Sequence, residues 1–179
     1  MTPALKEWGA AVHALLAGRQ TVLLRKGGIH EKRFAVGASR FLLFPTYVHT
    51  HAGSTRPEFA HLLAPGAADA TPEALTIRAA AEVVAAIPVV RPDDIGALEP
   101  LHLWTTESVR RHRVDFRPRH RLTALVVHVT PLPAPVVLPR LPAYGGCVSW
   151  LELDLPLPVA TPVPAGLRAV ADRVRAAVG

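Results

Sequence analysis

The sequence predicts an α+β fold: an antiparallel sheet, able to curve toward a barrel, between an N-terminal and a C-terminal helix. Three observations predict it. Apolar residues recur at helical spacing near both ends of the chain. The segments between are short, rich in β-branched residues and punctuated by Gly and Pro. Their order, with strands and short helices grouped rather than alternating, does not suit a doubly wound parallel sheet. One domain spanning residues 1–179 accommodates the whole length. Half of the residues are apolar and 19% are charged, a balance that excludes disorder and needs no metal or disulfide staple.

The first helix is expected to start at Thr2 with Pro3 in its first position. Leu5, Trp8, Val12, Leu15 and Leu16 would form its apolar face, and Gly18 its stop. Thr21–Arg25 reads as a strand, Lys26-Gly27-Gly28 as a turn, and Arg33–Val36 and Arg40–Phe44 as two further strands, the last ended by Pro45. Residues 49–72 lack periodicity and read as a surface loop. Leu75–Val90 is ambiguous, because Thr71-Pro72-Glu73 resembles a helix start, but its β-branched cluster shows no clean helical face and favours a strand. Asp93 or Asp94 caps a short helix through Leu98, and Thr105 or Thr106 a second through Arg111. Arg121–Thr130 is the clearest strand. The Pro-rich connector of residues 131–142 is too irregular for a sheet centre. Tyr144-Gly145-Gly146 turns into a last strand, Cys147–Leu153. A second Pro-rich connector, residues 156–164, leads to a helix marked by Leu167, Val170, Val174 and Val178.

The net charge is +6, with seventeen Arg against three Lys. The Arg excess accompanies many Ala, Pro and Val, which a GC-rich coding sequence explains. Its placement is more informative. Arg110–Arg121 carries six Arg and one Asp, and Arg25–Arg33 carries four basic residues and one Glu. The rest of the chain is slightly acidic. Cys147, the single cysteine, excludes an internal disulfide and a Cys-rich metal knuckle, and fits a cytoplasmic setting. Lys6, Glu7 and His13 interrupt the apolar N-terminus, unlike a secretory leader, and no membrane association is expected.

Several segments match a known pattern. Ala4-Leu5-Lys6-Glu7-Trp8, Leu23-Leu24-Arg25-Lys26-Gly27-Gly28-Ile29 with Glu31, and Phe41-Leu42-Leu43-Phe44-Pro45-Thr46-Tyr47 with His49 come first. His102-Leu103-Trp104-Thr105 with Glu107 and Val109, and Gly146-Cys147 with Ser149-Trp150, follow in the same order. Together they resemble the bacterial and archaeal domain of unknown function 1802, a resemblance that implies no activity. A second likeness is one of layout. The opening of the chain is similar to PUA-like RNA-binding domains of the ASCH type, whose Gly-x-Lys-x-x-Glu-x-Arg signature falls on Gly18, Gln20, Leu23 and Arg25, keeping the Gly and the Arg.

Arg25, Lys26, Gly27, Gly28, Lys32 and Arg33 form a glycine turn flanked by bases, which reads equally as an anion nest or as a solvated hairpin tip. No Ser or Thr opens a helix after it, so a Walker-type ATPase is not expected. Arg110, Arg111, Arg113, Arg117, Arg119 and Arg121 interleave with Phe116, the mixture that pairs phosphates and stacks on bases; a charged helix end is the plain alternative. Tyr47, after Pro45 at a strand end, is a candidate pocket residue. Weak catalytic candidates are His30, Glu31, His49, His102 and Glu107. His49 and His51 alternate on an extended reading, as a metal pair would, but no third ligand stands at a fixed spacing, so neither a metal centre nor a cofactor is expected. Trp8, Trp104 and Trp150 sit in apolar surroundings and read as core. The expected ligand is nucleic acid or another phosphate-bearing molecule. The alternatives are a metal-dependent hydrolase of a phosphodiester or nucleotide, and an accessory protein that binds an acidic partner.

Overall fold

The computed structural model describes residues 1–27 and 34–179. Its centre is an open six-stranded sheet in the order β2-β5-β4-β3-β1-β6. The strands are β1 (Thr2–Trp8), β2 (Val22–Lys26), β3 (Arg40–Thr46), β4 (Ala74–Pro88), β5 (Leu122–Pro139) and β6 (Trp150–Leu153). Neighbours are antiparallel except β1 and β3, which run parallel from Ala4↔Leu42 to Trp8↔Thr46. The α+β expectation holds, and the sheet does not close into a barrel.

The largest departure from expectation is at the N-terminus. Thr2–Trp8 is a strand, and helix α1 covers only Gly9–Leu16. Ala4 and Leu5 are fully buried on opposite faces of the sheet, Ala4 against Leu42 and Phe44 on one side and Leu5 against Phe41 and Leu43 on the other. A strand buried on both faces shows no clean alternation, and its apolar residues mimicked a helical face once α1 followed directly. Gly18, at φ +68°, ends α1 in the left-handed conformation that glycine adopts freely.

Other differences share one origin, tertiary pairing that local pattern does not encode. Phe34–Val36 is irregular rather than a strand, and Arg33, like the Gly28 end of the expected turn, lies outside the described residues. β3 runs through Pro45 to Thr46; its ladder with β4 ends at Leu42, so a residue lacking N–H is tolerated there. Residues 49–72 are not a surface loop. They form α2 (His51–Ser54), a 3₁₀ turn (Pro57–Leu62) and α3 (Leu63–Ala68), with His51, Phe59, Leu62 and Asp69 buried. Elements of one or two turns leave no period to detect. The Pro-rich stretch to Pro139 continues β5 against β4. Pro131, Pro133 and Pro135 fall on alternate residues and so place their missing N–H on one edge, where β2, which pairs only with Leu122–Val126 of β5, has already ended. The expected Asp93 or Asp94 helix is a 3₁₀ stretch, Pro92–Leu101, and neither Asp side chain caps it. The last strand is limited to Trp150–Leu153.

The expected strand at Leu75–Val90 is β4, and the C-terminal helix is α5 (Ala165–Val178), which buries Ala171, Val174 and Val178. Thr105 caps α4 (Thr106–Val109), its Oγ1 accepting from Ser108 N at 3.1 Å. A π-helical turn, Arg110–Val114, follows. Among the described residues no helix is long and apolar enough to cross a membrane.

Candidate functional site

The two basic segments, almost ninety residues apart, meet. Lys26 ends β2, and its ammonium donates to the carbonyls of Arg113 (2.5 Å), Val114 (3.2 Å) and Phe116. Arg113 reaches back to the Leu24 carbonyl. These reciprocal bonds seat the π-turn on the edge of β2 and satisfy carbonyls that a π-turn leaves without helical partners. Between them lies a cleft of about 340 Å³, the size of a small-molecule site, lined by Trp8, Trp104, Arg25, Lys26, Arg113 and Phe116 among others.

The cleft has an aromatic base. Trp104 is 1% exposed and is held by ladder-like contacts to the α2 segment: Thr55 bridges to it, Arg56 N donates to Leu103 O at 2.9 Å and Thr105 N to Ser54 O at 3.0 Å. Trp8 meets it edge-on at 5.8 Å. Trp8 occupies the end of β1 beside the end of β3, so the turn after β3 brings His51 onto it, stacked at 3.5 Å and 11°. Tyr47 lies edge-on to both His49 (5.7 Å) and His51 (5.9 Å). Residues 49–50 form a turn into α2, so His49 and His51 do not alternate along an extended segment as the sequence suggested. Burial, reinforced by Arg113, lowers His51 to about 4, so at neutral pH it is an uncharged stacking ring.

Charge is arranged around one buried carboxylate. Glu7 accepts from Trp8 N at 2.8 Å and from the Arg25 guanidinium at 3.2 Å, while Arg25 also donates to the Lys6 carbonyl at 2.9 Å. Arg113 lies over the Trp104 ring at 4.3 Å. Burial pulls Arg113 down to about 10, with Glu7 opposing the shift and Arg25 adding to it; it remains a cation at neutral pH. Burial also lowers Lys26, against the attraction of Asp115. Arg117 completes the rim in a left-handed conformation, φ +53°, beside the exposed Phe116.

Of the residues singled out in the sequence, the cleft gathers Arg25, Lys26, Gly27, Arg113 and Arg117. Tyr47 stands one ring away, across His51. Arg110 is tied to the Asp93 carbonyl at 2.6 Å, and Arg111, Arg119 and Arg121 are exposed without lining the cleft. Gly28, His30, Glu31, Lys32 and Arg33 lie outside the described residues. His49 and Glu107 are exposed, whereas His102 is 1% exposed and lowered to about 3, chiefly by burial. These candidates form no group, and among the described residues no three His, Cys, Asp or Glu side chains are placed to hold a metal. Sequence reasoning missed Glu7, Trp8 and Trp104 as site residues and singled out His51 only as half of a metal pair with His49. The signal for Trp8 was its place beside Glu7 at a strand end, hidden by the helical reading.

A model of the family "Domain of unknown function (DUF1802)" matches residues 4–168. The chain belongs to this family. Every residue lining the cleft lies within the matched span, so the cleft is part of the DUF1802 domain itself. No curated protein matches the chain. Among solved structures, a mutant of the ZmASCH protein from Zymomonas mobilis is similar, with 14% identity over 75% of this chain and 72% of that one and a TM-score of 0.48.

Proposed function

We propose that this protein binds single-stranded nucleic acid, or a nucleotide, with a base in the cleft between the half-buried Trp8 and the exposed Phe116 and phosphate at the cationic rim of Arg25, Lys26, Arg113 and Arg117. The observation that carries this reading is the convergence of both basic segments on one aromatic cleft. A solvated hairpin tip and an ordinary charged helix end have no reason to share a pocket floored by indoles. Aromatic faces accept any base, and guanidinium groups beside them neutralise the backbone. Duplex DNA offers no exposed base face to such a cleft, so unpaired strands are the expected ligand.

Titration of labelled single-stranded and duplex oligonucleotides, followed by tryptophan fluorescence, tests this. Single strands are expected to quench emission and bind more tightly than duplex. With about three phosphates on the rim, log K should fall with log salt at a slope of about −2. Absence of binding at low salt, or an affinity indifferent to salt, overturns the reading. Equal capture of an acidic protein with no quenching would assign the basic face to a protein partner instead.

A further inference from the structure

The cleft's side chains are rich in hydrogen-bond donors, with Ser108 and His112 able to accept as well. Its cations are donors only, as is the indole N–H. Lys26 is spent on three backbone carbonyls, and the Ser108 hydroxyl donates to Ser54 O at 3.2 Å. Left without partners among the described residues are two buried donors, Trp104 Nε1 and Arg25 Nε. Arg113 is anchored at two points. Its guanidinium carbon lies 4.3 Å from the centre of the Trp104 ring and its Nη1 donates to Leu24 O, while its Nε and Nη2 groups make no hydrogen bond to a described residue. A guanidinium anchored in this way keeps one pair of parallel donors for a ligand in the cleft it lines.

Building on the proposed base-binding role of the cleft, we propose that it is selective for guanine, with Arg113 reading the O6 and N7 acceptors of a base lying in the aromatic cleft. Guanine presents two adjacent acceptors on that edge. Adenine presents an amino donor beside N7, which would face Arg113 donor to donor. Cytosine pairs one such donor with its acceptors on the corresponding edge. A mismatched base sets donor against donor, and its amino group loses water without gaining an acceptor from Arg113. The phosphate falls to the rim, where Arg117 is exposed. Arg113 is then the residue that sets specificity, and Arg117, with the charge of Arg25 and Lys26 behind it, sets affinity.

The test uses the whole protein and five labelled RNA pentamers: all-adenosine, and the same strand with a central guanosine, cytidine, inosine or 7-deazaguanosine. Guanosine is expected to bind about tenfold more tightly than adenosine or cytidine. Inosine, which keeps O6 and N7, should match guanosine, and 7-deazaguanosine, which lacks N7, should fall to the adenosine level. Arg113→Lys keeps the charge but not the fork, and should erase the preference, so that on the variant the guanosine and adenosine pentamers bind alike. The analogue series on the natural protein stands even where that variant does not fold. Pentamers that all bind alike overturn guanine selectivity and leave the base-binding reading intact; pentamers that all fail to bind overturn both. Undiminished binding of 7-deazaguanosine also overturns the Arg113 contact. Guanosine monophosphate as competitor separates two sources of the same base: competition at the pentamer's own concentration assigns it to a free nucleotide, and much weaker competition assigns it to a strand.

Discussion

Glu7→Gln is the most direct probe of how the cleft is held. Glu7 is 1% exposed and its Oε2 lies 3.2 Å from Arg25 Nη1. With an effective dielectric of about 20, that separation corresponds to about 5 kcal/mol of attraction. Glutamine retains an oxygen for the Trp8 N–H and for a neutral hydrogen bond to Arg25, and Arg25 keeps a small exposed edge of 14%, so about half of that figure should be lost. The substitution also removes a carboxylate that opposes the mutual repulsion of Arg25 and Arg113. The expected outcome is a loss of about 2–3 kcal/mol, read as a melting temperature about 5–10 °C lower by circular dichroism for a chain of this length. Pairing it with Arg25→Gln completes a cycle. Removing both partners should cost less than the sum of the two single losses, because neither charge is then left buried alone. A melting temperature within 2 °C of the natural protein, or strictly additive losses in the double variant, would refute the view that this pair organises the cleft.

Two further outcomes follow from the same structure. Gly66→Ala should destabilise by about 2–3 kcal/mol in chemical denaturation, because a Cβ there would lie 2.4 Å from Ala10 N and 2.7 Å from Gly9 C, backbone atoms that cannot yield. Gly53→Ala, where nothing lies within 4 Å, is the control and should be close to neutral. Stability should also fall on acidification. His51 and His102 are lowered in the folded chain to about 4 and about 3, from an ordinary 6.5, so the unfolded chain takes up protons that the folded one refuses. Their contribution is complete above pH 6.5 and is lost as pH falls toward 4, at up to about 1.4 kcal/mol per pH unit for each ring. His51→Phe keeps a ring on Trp8 and removes half of that slope. An unchanged slope in denaturation midpoints between pH 6 and 4.5 would show that His51 titrates freely.

How much of this was legible in the sequence depends on the range over which each interaction acts. Arg25, Lys26 and Arg113 could be picked out because a local excess of charge is visible in any window, and Thr105 because a cap is a local bond to Ser108. β4 and α5 were equally readable from composition and period. Trp8, Trp104 and His51 were not, since their stacking depends on β1 pairing in parallel with β3 and on Thr55 bridging to Trp104, contacts that join segments about 40 and 50 residues apart. The misread helix at Thr2–Trp8 had a direct cost: on a helix Glu7 would have faced outward with Lys6, and only a strand buried between β3 and β6 turns it inward to meet Arg25.

That inward turn gives the site its character. Two arginines brought together over an indole would repel each other, and solvent would draw them apart on an ordinary surface. Burying one carboxylate between the end of β1 and the end of β2 holds Arg25 in place, leaves Arg113 anchored among the described residues by the Trp104 face and the Leu24 carbonyl, and keeps the cleft cationic as a whole. A surface patch of the same residues would bind phosphate through charge alone, with no reason to distinguish one base from another. A guanidinium anchored beside stacked rings binds through charge and geometry together, so the salt slope and the analogue series measure separable properties of one site. A steep salt slope with no base preference would mean that Arg113 leaves Trp104 when ligand arrives, and that Glu7 orders only the empty cleft.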